Sequence, residues 1–339
     1  MRGRSRRTVP AFAKVIWSQG IISIDGSGAE GLKVLVTGGA GFIGSHLVDR
    51  LVHTGHDVIV LDNFSTGKKS NLSQSLGRPN LRILKADIRK IPRSLTKTIG
   101  RVDRVCHLAA VTSVQQSVRD PVFTTNVNVV GTLNVLDLAK ALKAQRVLFA
   151  SSAAVYGAPR TFPISEDTTV SPISPYGASK LASEHYLASF ETNHGVEAAS
   201  LRLFNVYGPR QTANQYAGVI SIFARRSLQE KPLQIYGDGS QTRDFVFVSD
   251  VVDAMINALE KNLKSGVFNI ASGREIAILE LAENIRAITG THSRIEFHPQ
   301  RSGDIIRSVA DVSRARNELG FAAKTTIAKG LSATLQWFK

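Results

Sequence analysis

The stretch "VTGGAGFIGSH", residues 36–46, places four glycines within seven positions and directly follows the apolar run that begins at Lys33. This pattern predicts a buried strand, a tight turn and then a helix that begins near Phe42. Glycine costs backbone entropy, so the cluster indicates a turn with positive φ and a close approach of another group to the backbone. The N-terminus of the following helix would offer free N–H groups and a positive dipole end to an anion.

A second predicted strand ends at Asp62, eighteen residues after Gly44. In this context Gly38, Gly41 and Gly44 fit a turn that binds the pyrophosphate of a dinucleotide. The Asp62 carboxylate would accept hydrogen bonds from the adenosine ribose and would repel the extra phosphate of NADP, so we expect NAD. A plain tight turn with Asp62 as a strand-end cap is the alternative interpretation.

Apolar β-branched runs alternate with helical stretches through the first 200 residues. The predicted strands are 33–37, 57–62, 81–85, 103–108, 146–151 and 196–203, and the predicted helices are 43–54, 122–142 and 177–193. This alternation predicts an α/β fold with a doubly wound parallel sheet of the Rossmann type. We expect residues 33–205 to form this dinucleotide-binding domain, which also receives part of 240–265. Residues 206–339 are expected to form mainly a smaller C-terminal α/β lobe for substrate, beyond the carboxyl ends of the strands.

Residues 1–32 are expected to be an extension outside the fold, because every readable pattern begins at Lys33. The extension starts with several arginines, and Lys14 interrupts its apolar stretch before a secretory core is reached. An Arg-rich targeting peptide and an alternative initiator at Leu32 are both open explanations.

The composition excludes several classes of protein. No stretch approaches the roughly 18 uncharged apolar residues that a bilayer requires, so we expect no membrane span. The single cysteine, Cys106, excludes an intramolecular disulfide and favours a reducing compartment, which predicts a cytoplasmic protein. The net charge of +15 is scattered along the chain and lacks the aromatic signatures of RNA readers. We therefore expect no specific nucleic-acid partner, and no metal site is predicted.

A second group of polar residues lies in "SPYGASK", residues 174–180. Tyr176 and Lys180 are four residues apart and would share one face of a helix. A neighbouring ammonium and a cationic nicotinamide would both lower the pKa of the tyrosine and so prepare it to act as a base. Ser152 ends a predicted strand and would point its hydroxyl at the same reacting oxygen.

Seven motifs in order resemble the extended short-chain dehydrogenase/reductase family. They are "VTGGAGFIGSH", "HLAA", "SSAAVYG", "SPYGASK", "LRLFNVYGPRQ", "GDGSQTRDFVFVSDVV" and "RSGD". The resemblance runs from about Lys33 to the C-terminus and is closest to the nucleotide-sugar branch and its UDP-glucose 4-epimerases. It implies an NAD-dependent isomerase that forms a homodimer through helices 122–142 and 177–193.

The resemblance also implies roles for individual residues. Ser152, Tyr176 and Lys180 would be the catalytic trio. The residues expected at the cofactor are Gly38, Gly41, Phe42, Ile43, Gly44, Asp62, Asn63, Asp87, Ile88, Leu108, Ala109, Ala110, Asn126, Tyr176 and Lys180. Those expected at the UDP-sugar are Ser152, Asn205, Arg243, Arg301 and Asp304.

The expected reaction is inversion of carbon 4 of a UDP-hexose through a transient 4-keto sugar. Related dehydratases and decarboxylases carry a carboxylate two residues after the hydroxyl residue, where this chain has Ala153 and Ala154. Ser308 replaces a bulky tyrosine of some epimerases and leaves room for a 2-acetamido group, and Thr112 replaces a lysine. The alternatives are another sugar-modifying enzyme of the family, a decarboxylase or dehydratase, and a non-catalytic nucleotide- or RNA-binding protein on the same scaffold.

Overall fold

A computed structural model describes residues 31–212, 218–261, 265–300, 303 and 305–339. Most of the predicted extension, residues 1–30, lies outside the described residues. The backbone N–H of Leu32 donates to His56 Nδ1 at 3.1 Å, and the Leu32 carbonyl accepts from the N–H of Asp57 at 3.0 Å.

The strands and helices of the described residues are as follows. The strands are β1 (Lys33–Thr37), β2 (Asp57–Asp62), β3 (Leu81–Lys85), β4 (Arg104–His107), β5 (Arg146–Ser152), β6 (Glu197–Leu203), β7 (Asn205–Tyr207), β8 (Leu233–Tyr236), β9 (Thr242–Phe247), β10 (Gly266–Ile270), β11 (Glu275–Ala277) and β12 (Ile295–His298). The helices are α1 (Phe42–His53), α2 (Ser94–Ile99), α3 (Val114–Arg119), α4 (Pro121–Thr125), α5 (Gly131–Ala141), α6 (Pro175–His194), α7 (Val219–Leu228), α8 (Val248–Glu260), α9 (Ile278–Thr289) and α10 (Ile327–Phe338).

Within these residues, seven parallel strands form one sheet in the order β10-β6-β5-β4-β1-β2-β3. The chain winds outward in both directions from the neighbours β1 and β4. A crevice for a ligand therefore opens at the carboxyl ends of these two strands. This confirms the predicted doubly wound parallel sheet, and each predicted strand is observed to within a residue or two.

The strands of this sheet are apolar because helices cover both of its faces. One apolar cluster joins β1 and β2 to α1 and α8, with Leu47, Val58 and Met255 among its members. A second cluster on the other face joins β4 and β5 to α5 and includes Val105, Leu136 and Phe149. The two layers hold the carboxyl ends of the strands in fixed relative positions.

The predicted helix 122–142 is divided in the structure. It contains α4, then a π-helical turn over Asn126–Val130, then α5. The predicted helix is therefore observed, and its π-helical turn is a local feature that the prediction did not specify. Such π-helical turns occur frequently at functional sites.

Beyond β6 the chain forms two small sheets and returns to the large one. β7, β9 and β11 form a three-stranded sheet, and β8 pairs with β12. A separate apolar cluster lies among α7, α9 and α10 and includes Phe223, Leu281 and Leu331. Helix α8 packs on α1, and β10 extends the large sheet beside β6. The division into two domains stays a prediction.

A buried ion pair joins α1 to the segment after β7. Arg210 Nη2 lies 2.7 Å from Asp49 Oδ2, and His46 Nε2 lies 2.9 Å from the Pro209 carbonyl. Burial and the nearby Arg210 charge lower the pKa of His46 to about 4, so this imidazole is neutral at physiological pH. The helix that follows the glycine-rich turn is thereby fixed to the segment that follows Asn205.

None of the helices in the described residues is both long enough and apolar enough to cross a lipid bilayer.

Candidate active site

The glycine-rich turn closes between β1 and α1 as predicted. Gly38 has a φ of +70°, and a Cβ atom there would lie 2.7 Å from the backbone N of Ala109. A Cβ on Gly44 would lie 2.2 Å from the Gly38 carbonyl oxygen. The turn therefore needs glycine at both positions, and its bare backbone can accept a pyrophosphate at the N-terminus of α1. Phe42 and Ile43 form the first turn of that helix.

Asp62 lies at the carboxyl end of β2 and contacts the turn directly. Its Oδ2 accepts from the Ala40 N–H at 2.9 Å, and its Oδ1 accepts from the Phe64 N–H at 2.8 Å. A carboxylate has about four acceptor positions, so capacity for ribose hydroxyls is left. Asp62 thus shapes the loop, as the alternative interpretation expected, and still fits a dinucleotide.

Three of the residues expected at the cofactor, Asn63, Asp87 and Ile88, follow the ends of β2 and β3. Asn63 Nδ2 donates to Asp87 Oδ2 at 3.1 Å, and Ile88 is buried beneath Gly131. Arg89, which the sequence analysis missed, donates from Nε and Nη2 to the two oxygens of Asp87 at 3.0 and 2.8 Å. These bonds hold the pKa of the Asp87 carboxyl well below its usual range. The carboxylate is therefore charged and already paired.

A cavity of 380 Å³ opens at this end of the candidate site. It is lined by Asp87, Arg89, Lys90, Asn126 and Val130. Two residues that the resemblance assigns to the cofactor, Asp87 and Asn126, are thus brought to one concave surface. The lining combines aliphatic side-chain carbons with hydrogen-bonding groups, which suits a heterocyclic base.

The end of β4 lies against the turn and carries the expected residues Leu108, Ala109 and Ala110 immediately after it. His107 at its last position is buried, with Nδ1 2.7 Å from Thr37 Oγ1 and Nε2 3.0 Å from Thr132 Oγ1. Burial, together with the Lys180 charge, lowers the pKa of His107 to about 3. This neutral imidazole fixes the ends of β1 and β4 to α5.

Asn126 begins the π-helical turn and is exposed on the cavity wall. The buried asparagine of this turn is Asn128, which sequence analysis missed. Its Oδ1 accepts from the Val111 N–H at 2.8 Å, and its Nδ2 donates to Ser179 Oγ at 2.9 Å. The side chain of Asn128 therefore ties the segment after β4 to the helix that carries Tyr176 and Lys180.

The predicted catalytic residues come together between the end of β5 and α6. The hydroxyl of Ser152 faces the phenol of Tyr176 closely enough to favour its ionised form. Lys180 Nζ donates to the Ala150 carbonyl at 2.7 Å and lies 6.0 Å from the centre of the Tyr176 ring. Ser174 Oγ caps the helix by accepting from the Gly177 N–H at 3.1 Å, and Pro175 occupies its first position. This local sequence starts the helix just before Tyr176.

Burial dominates the electrostatics of this trio. Burial raises the pKa of the Tyr176 phenol, and the nearby Ser152 hydroxyl opposes that effect in part. The lowering of the Tyr176 pKa that was expected from Lys180 together with a cationic nicotinamide stays a prediction, because desolvation outweighs the neighbouring groups in the chain by itself. Burial also lowers the pKa of Lys180 to about 7, while the charge of Glu184 raises it.

The expected UDP-binding residues are only partly within the described chain. Asn205 Nδ2 donates to the Asp244 carbonyl at 3.1 Å, and β7 pairs with β9 so that Asn205 lies opposite Phe245. Arg243 Nη1 donates to the carbonyls of Thr242 and Ile305 at 2.8 and 2.6 Å. Both residues lie in the three-stranded sheet. Arg301 and Asp304 lie outside the described residues.

Departures from the family pattern are also visible. Ser308 is buried, Thr112 is exposed, and Ala153 and Ala154 follow Ser152 in a short 3₁₀ helix. No three His, Cys, Asp or Glu side chains of the described segments meet as a metal site would require.

A seven-stranded parallel sheet, a glycine-lined turn and an acid at the end of the second strand define a dinucleotide-binding protein of the Rossmann class. Residues 34–271 match the NAD dependent epimerase/dehydratase family. The chain belongs to that family, which uses NAD.

Two curated relatives are similar over most of the chain. The UDP-glucose 4-epimerase of Mycolicibacterium smegmatis is 41% identical over 311 residues, which are 91% of this chain and 99% of that protein. UDP-glucuronic acid decarboxylase 1 of Danio rerio is 37% identical over 90% of this chain and 72% of its own length. The chain therefore resembles enzymes that act on UDP-sugars in two different ways.

Two solved structures share the fold. The UDP-N-acetylglucosamine 4-epimerase from Methanobrevibacter ruminantium M1, in complex with UDP-N-acetylmuramic acid, has a TM-score of 0.87 and 37% identity over 91% of this chain and 99% of that one. The UDP-glucose 4-epimerase of Thermus thermophilus, in complex with NAD, has a TM-score of 0.83 and 36% identity, with the same coverage. These similarities confirm the fold class and the cofactor.

Proposed function

We propose that this chain is a nucleotide-sugar 4-epimerase that inverts carbon 4 of a UDP-hexose. The observation that carries the proposal is the convergence of Ser152, Tyr176 and Lys180 between the end of β5 and α6, at the same edge of the sheet as the glycine-lined turn. A base, a hydrogen-bonding hydroxyl and a cation next to a dinucleotide turn are the groups that alcohol oxidation requires.

In this mechanism Tyr176 accepts the proton of the sugar hydroxyl on carbon 4 and later returns it. Ser152 hydrogen-bonds the same sugar oxygen, and protonated Lys180 stabilises the tyrosine in its ionised form. When bound, NAD+ supplies the hydride acceptor for carbon 4 and a positive charge that favours the phenolate. The oxidised sugar is a 4-keto compound, and inversion results when the reduction takes place on its opposite face.

Inversion requires that the UDP portion be held firmly while the sugar can turn. We propose Asn205 and Arg243, with Arg301 and Asp304, as the groups that hold UDP. A guanidinium suits phosphate oxygens, and binding energy from the remote UDP can position the sugar over the reacting groups. In the structure Arg243 uses one nitrogen for two backbone carbonyls, and that arrangement fixes where its guanidinium lies.

Epimerisation is favoured over dehydration or decarboxylation by the residues after Ser152. Ala153 and Ala154 have no carboxyl group to move a proton at a further ring carbon. The similarity to a UDP-glucuronic acid decarboxylase makes that reaction the second candidate. Ser308 is small and buried, so we also propose that UDP-N-acetylglucosamine is accepted alongside UDP-glucose.

The products formed without added cofactor distinguish these candidates. We expect the purified protein to convert UDP-glucose to UDP-galactose, and UDP-N-acetylglucosamine to UDP-N-acetylgalactosamine, because NAD should stay bound through purification. Proton NMR of the reaction mixtures identifies each product, and heat-inactivated protein is the control. Release of carbon dioxide from UDP-glucuronate with no 4-epimer of any substrate would contradict the proposal.

We further propose that the chain forms a homodimer through α3, α4 and α6. These helices pack together and expose Val118, Val122 and Tyr186, with exposed fractions of 62%, 70% and 42%. A stripe of this kind is typical of an interface. We expect light scattering to give twice the chain mass of 36.7 kDa, and Val122→Asp to give the monomer mass. A monomeric wild-type protein would overturn this proposal.

A further inference from the structure

The catalytic face of α6 continues one turn beyond Lys180. Tyr176, Lys180 and Glu184 are spaced by four residues and therefore lie along one side of the helix. All three are buried, although two of them are charged groups that ordinarily remain in water. Tyr176 and Lys180 contact the end of β5, as described above, and Glu184 contacts the same strand end.

Glu184 is held by two neighbouring strands. Ser151 on β5 and Arg202 on β6 are paired in the sheet, so their side chains lie next to each other. The Ser151 hydroxyl donates to Glu184 Oε1, and Arg202 donates from Nε and Nη2 to the two carboxylate oxygens at 3.0 and 2.8 Å. Both side chains of this ion pair are less than a tenth exposed. The carboxylate is thus fixed in place by a guanidinium and a hydroxyl.

Ser151 connects Glu184 to the end of β5, the strand that carries Ser152. It lies between Ala150, whose carbonyl accepts from Lys180, and Ser152, whose hydroxyl faces Tyr176. The last three residues of β5 therefore each interact with one of the three aligned residues of α6.

We propose that Glu184 is a positioning residue for the catalytic trio: held by Arg202 and Ser151, it places a carboxylate one helical turn from Lys180 and fixes the strand end that carries Ser152. The inference rests on the proposed function, in which a charged Lys180 stabilises ionised Tyr176. It assigns the buried ion pair a role in the chemistry beyond the stability of the fold.

The charged and titratable surroundings of Lys180 in the described part of the chain set the direction of the effect. Tyr176 and Glu184 flank Lys180 on its own helix, α6. His107 faces Lys180 from β4. Arg202, the ion-pair partner of Glu184, lies on β6. His107 is neutral, as its pKa is about 3. Burial lowers the pKa of Lys180 to about 7, and Glu184 opposes this effect. Removal of the carboxylate therefore lowers the pKa of Lys180 further.

The test compares Glu184→Gln with the wild-type holoenzyme across pH. Activity that needs protonated Lys180 is lost as the pH rises through the pKa of that residue. In the wild type, kcat falls at alkaline pH as Lys180 loses its proton. We expect this fall to occur about one pH unit lower in Glu184→Gln. At pH values above the fall, kcat is then about tenfold lower in the variant than in the wild type. We expect the KM for the UDP-hexose to stay unchanged, because the UDP contacts lie in another sheet.

A direct titration of Lys180 separates this inference from the proposed function. Carbon-13 NMR of protein labelled at the lysine ε-carbon follows its ionisation, and Lys180→Met assigns the signal. A lower Lys180 pKa in Glu184→Gln supports the inference even if no UDP-hexose is epimerised, in which case only the proposed function fails. An unchanged Lys180 titration in an active variant overturns the inference and leaves the proposed function intact.

Three further variants exclude a merely structural effect. Glu197→Gln breaks a comparable ion pair, with buried Arg146, at the opposite end of β5 and β6. We expect it to shift neither the pH profile of kcat nor the titration of Lys180. Glu184→Asp keeps the charge and should restore the wild-type pH profile of kcat. If Glu184→Gln does not fold, the double variant Glu184→Met with Arg202→Met removes both members of the buried ion pair and should still lower the pKa of Lys180. A wild-type Lys180 titration in that double variant would overturn the proposal.

Discussion

Tyr176→Phe is expected to reduce turnover of a UDP-hexose by about 100-fold to 10,000-fold, the range typical of the loss of a general base. The change removes one oxygen from a buried ring and so preserves the packing of α6. It also removes the oxygen that the Ser152 hydroxyl faces. We expect bound NAD and the KM for the sugar nucleotide to change far less than turnover, because the phenol is only one of many expected contacts to each. Steady-state kinetics and the NAD content of the purified variant measure both.

Tyr207→Phe is the matched control for this variant. Tyr207 is also a buried tyrosine, but its ring packs on Phe245 and Phe247 in the smaller sheet. We expect this control to lose some stability and to keep turnover within a fewfold of the wild type. Retention of more than a few per cent of turnover by Tyr176→Phe would show that another group is the base.

Burial raises the pKa of Tyr176 in the chain alone, so we expect the positive charge of NAD+ to complete the electrostatics of the site. Desolvation opposes the phenolate, and Lys180 is itself only partly protonated near neutral pH, since its pKa is about 7. A site of this kind stays inactive as a base until positive charge arrives. Proton abstraction would then be coupled to the presence of the oxidised cofactor.

Local sequence predicted those parts of the fold and site that short segments determine. The turn with Gly38 and Gly44 follows from glycine spacing between an apolar strand and an amphipathic helix. The common face of Tyr176 and Lys180 follows from a spacing of four residues. Ser152 was placed because a strand ends there, and the structure brings its hydroxyl to Tyr176. In each case the decisive interactions lie within one element or between neighbours in a predictable sheet.

Long-range pairing of charged residues could not be predicted in this way. Arg210 and Asp49 are far apart in the sequence, yet they form a buried ion pair, and Arg202 meets Glu184 across a strand and a helix. In a sequence such residues resemble ordinary surface charges, because burial depends on tertiary packing. Arg89 was missed for a different reason, since it is an exposed residue only two positions from its partner Asp87 and looks like an ordinary surface charge in the sequence.

Gly44→Ala is expected to cost the protein most of its bound NAD. The new Cβ would lie 2.2 Å from the Gly38 carbonyl oxygen, which belongs to the backbone and cannot move without opening the turn. Overpacking of this kind typically costs about 1–3 kcal/mol. If this free-energy cost falls on the NAD-bound protein, it weakens the affinity for NAD by about tenfold to a hundredfold. We therefore expect turnover without added cofactor to fall to near zero and to recover in part with excess NAD.

The appropriate control is Gly55→Ala, in the turn that follows α1. Gly55 has a φ of +90°, so alanine is strained there as well, but nothing lies within 4 Å of its added Cβ. The control therefore loses stability through backbone strain alone, and the pyrophosphate turn stays closed. The absorbance of NAD released from each denatured variant, per chain, compares the two sites directly. Retention of the wild-type amount of NAD by Gly44→Ala would contradict this assignment. The glycine-rich turn, which Asp62 contacts, would then have opened without effect on the cofactor. The pyrophosphate would have to approach the backbone elsewhere.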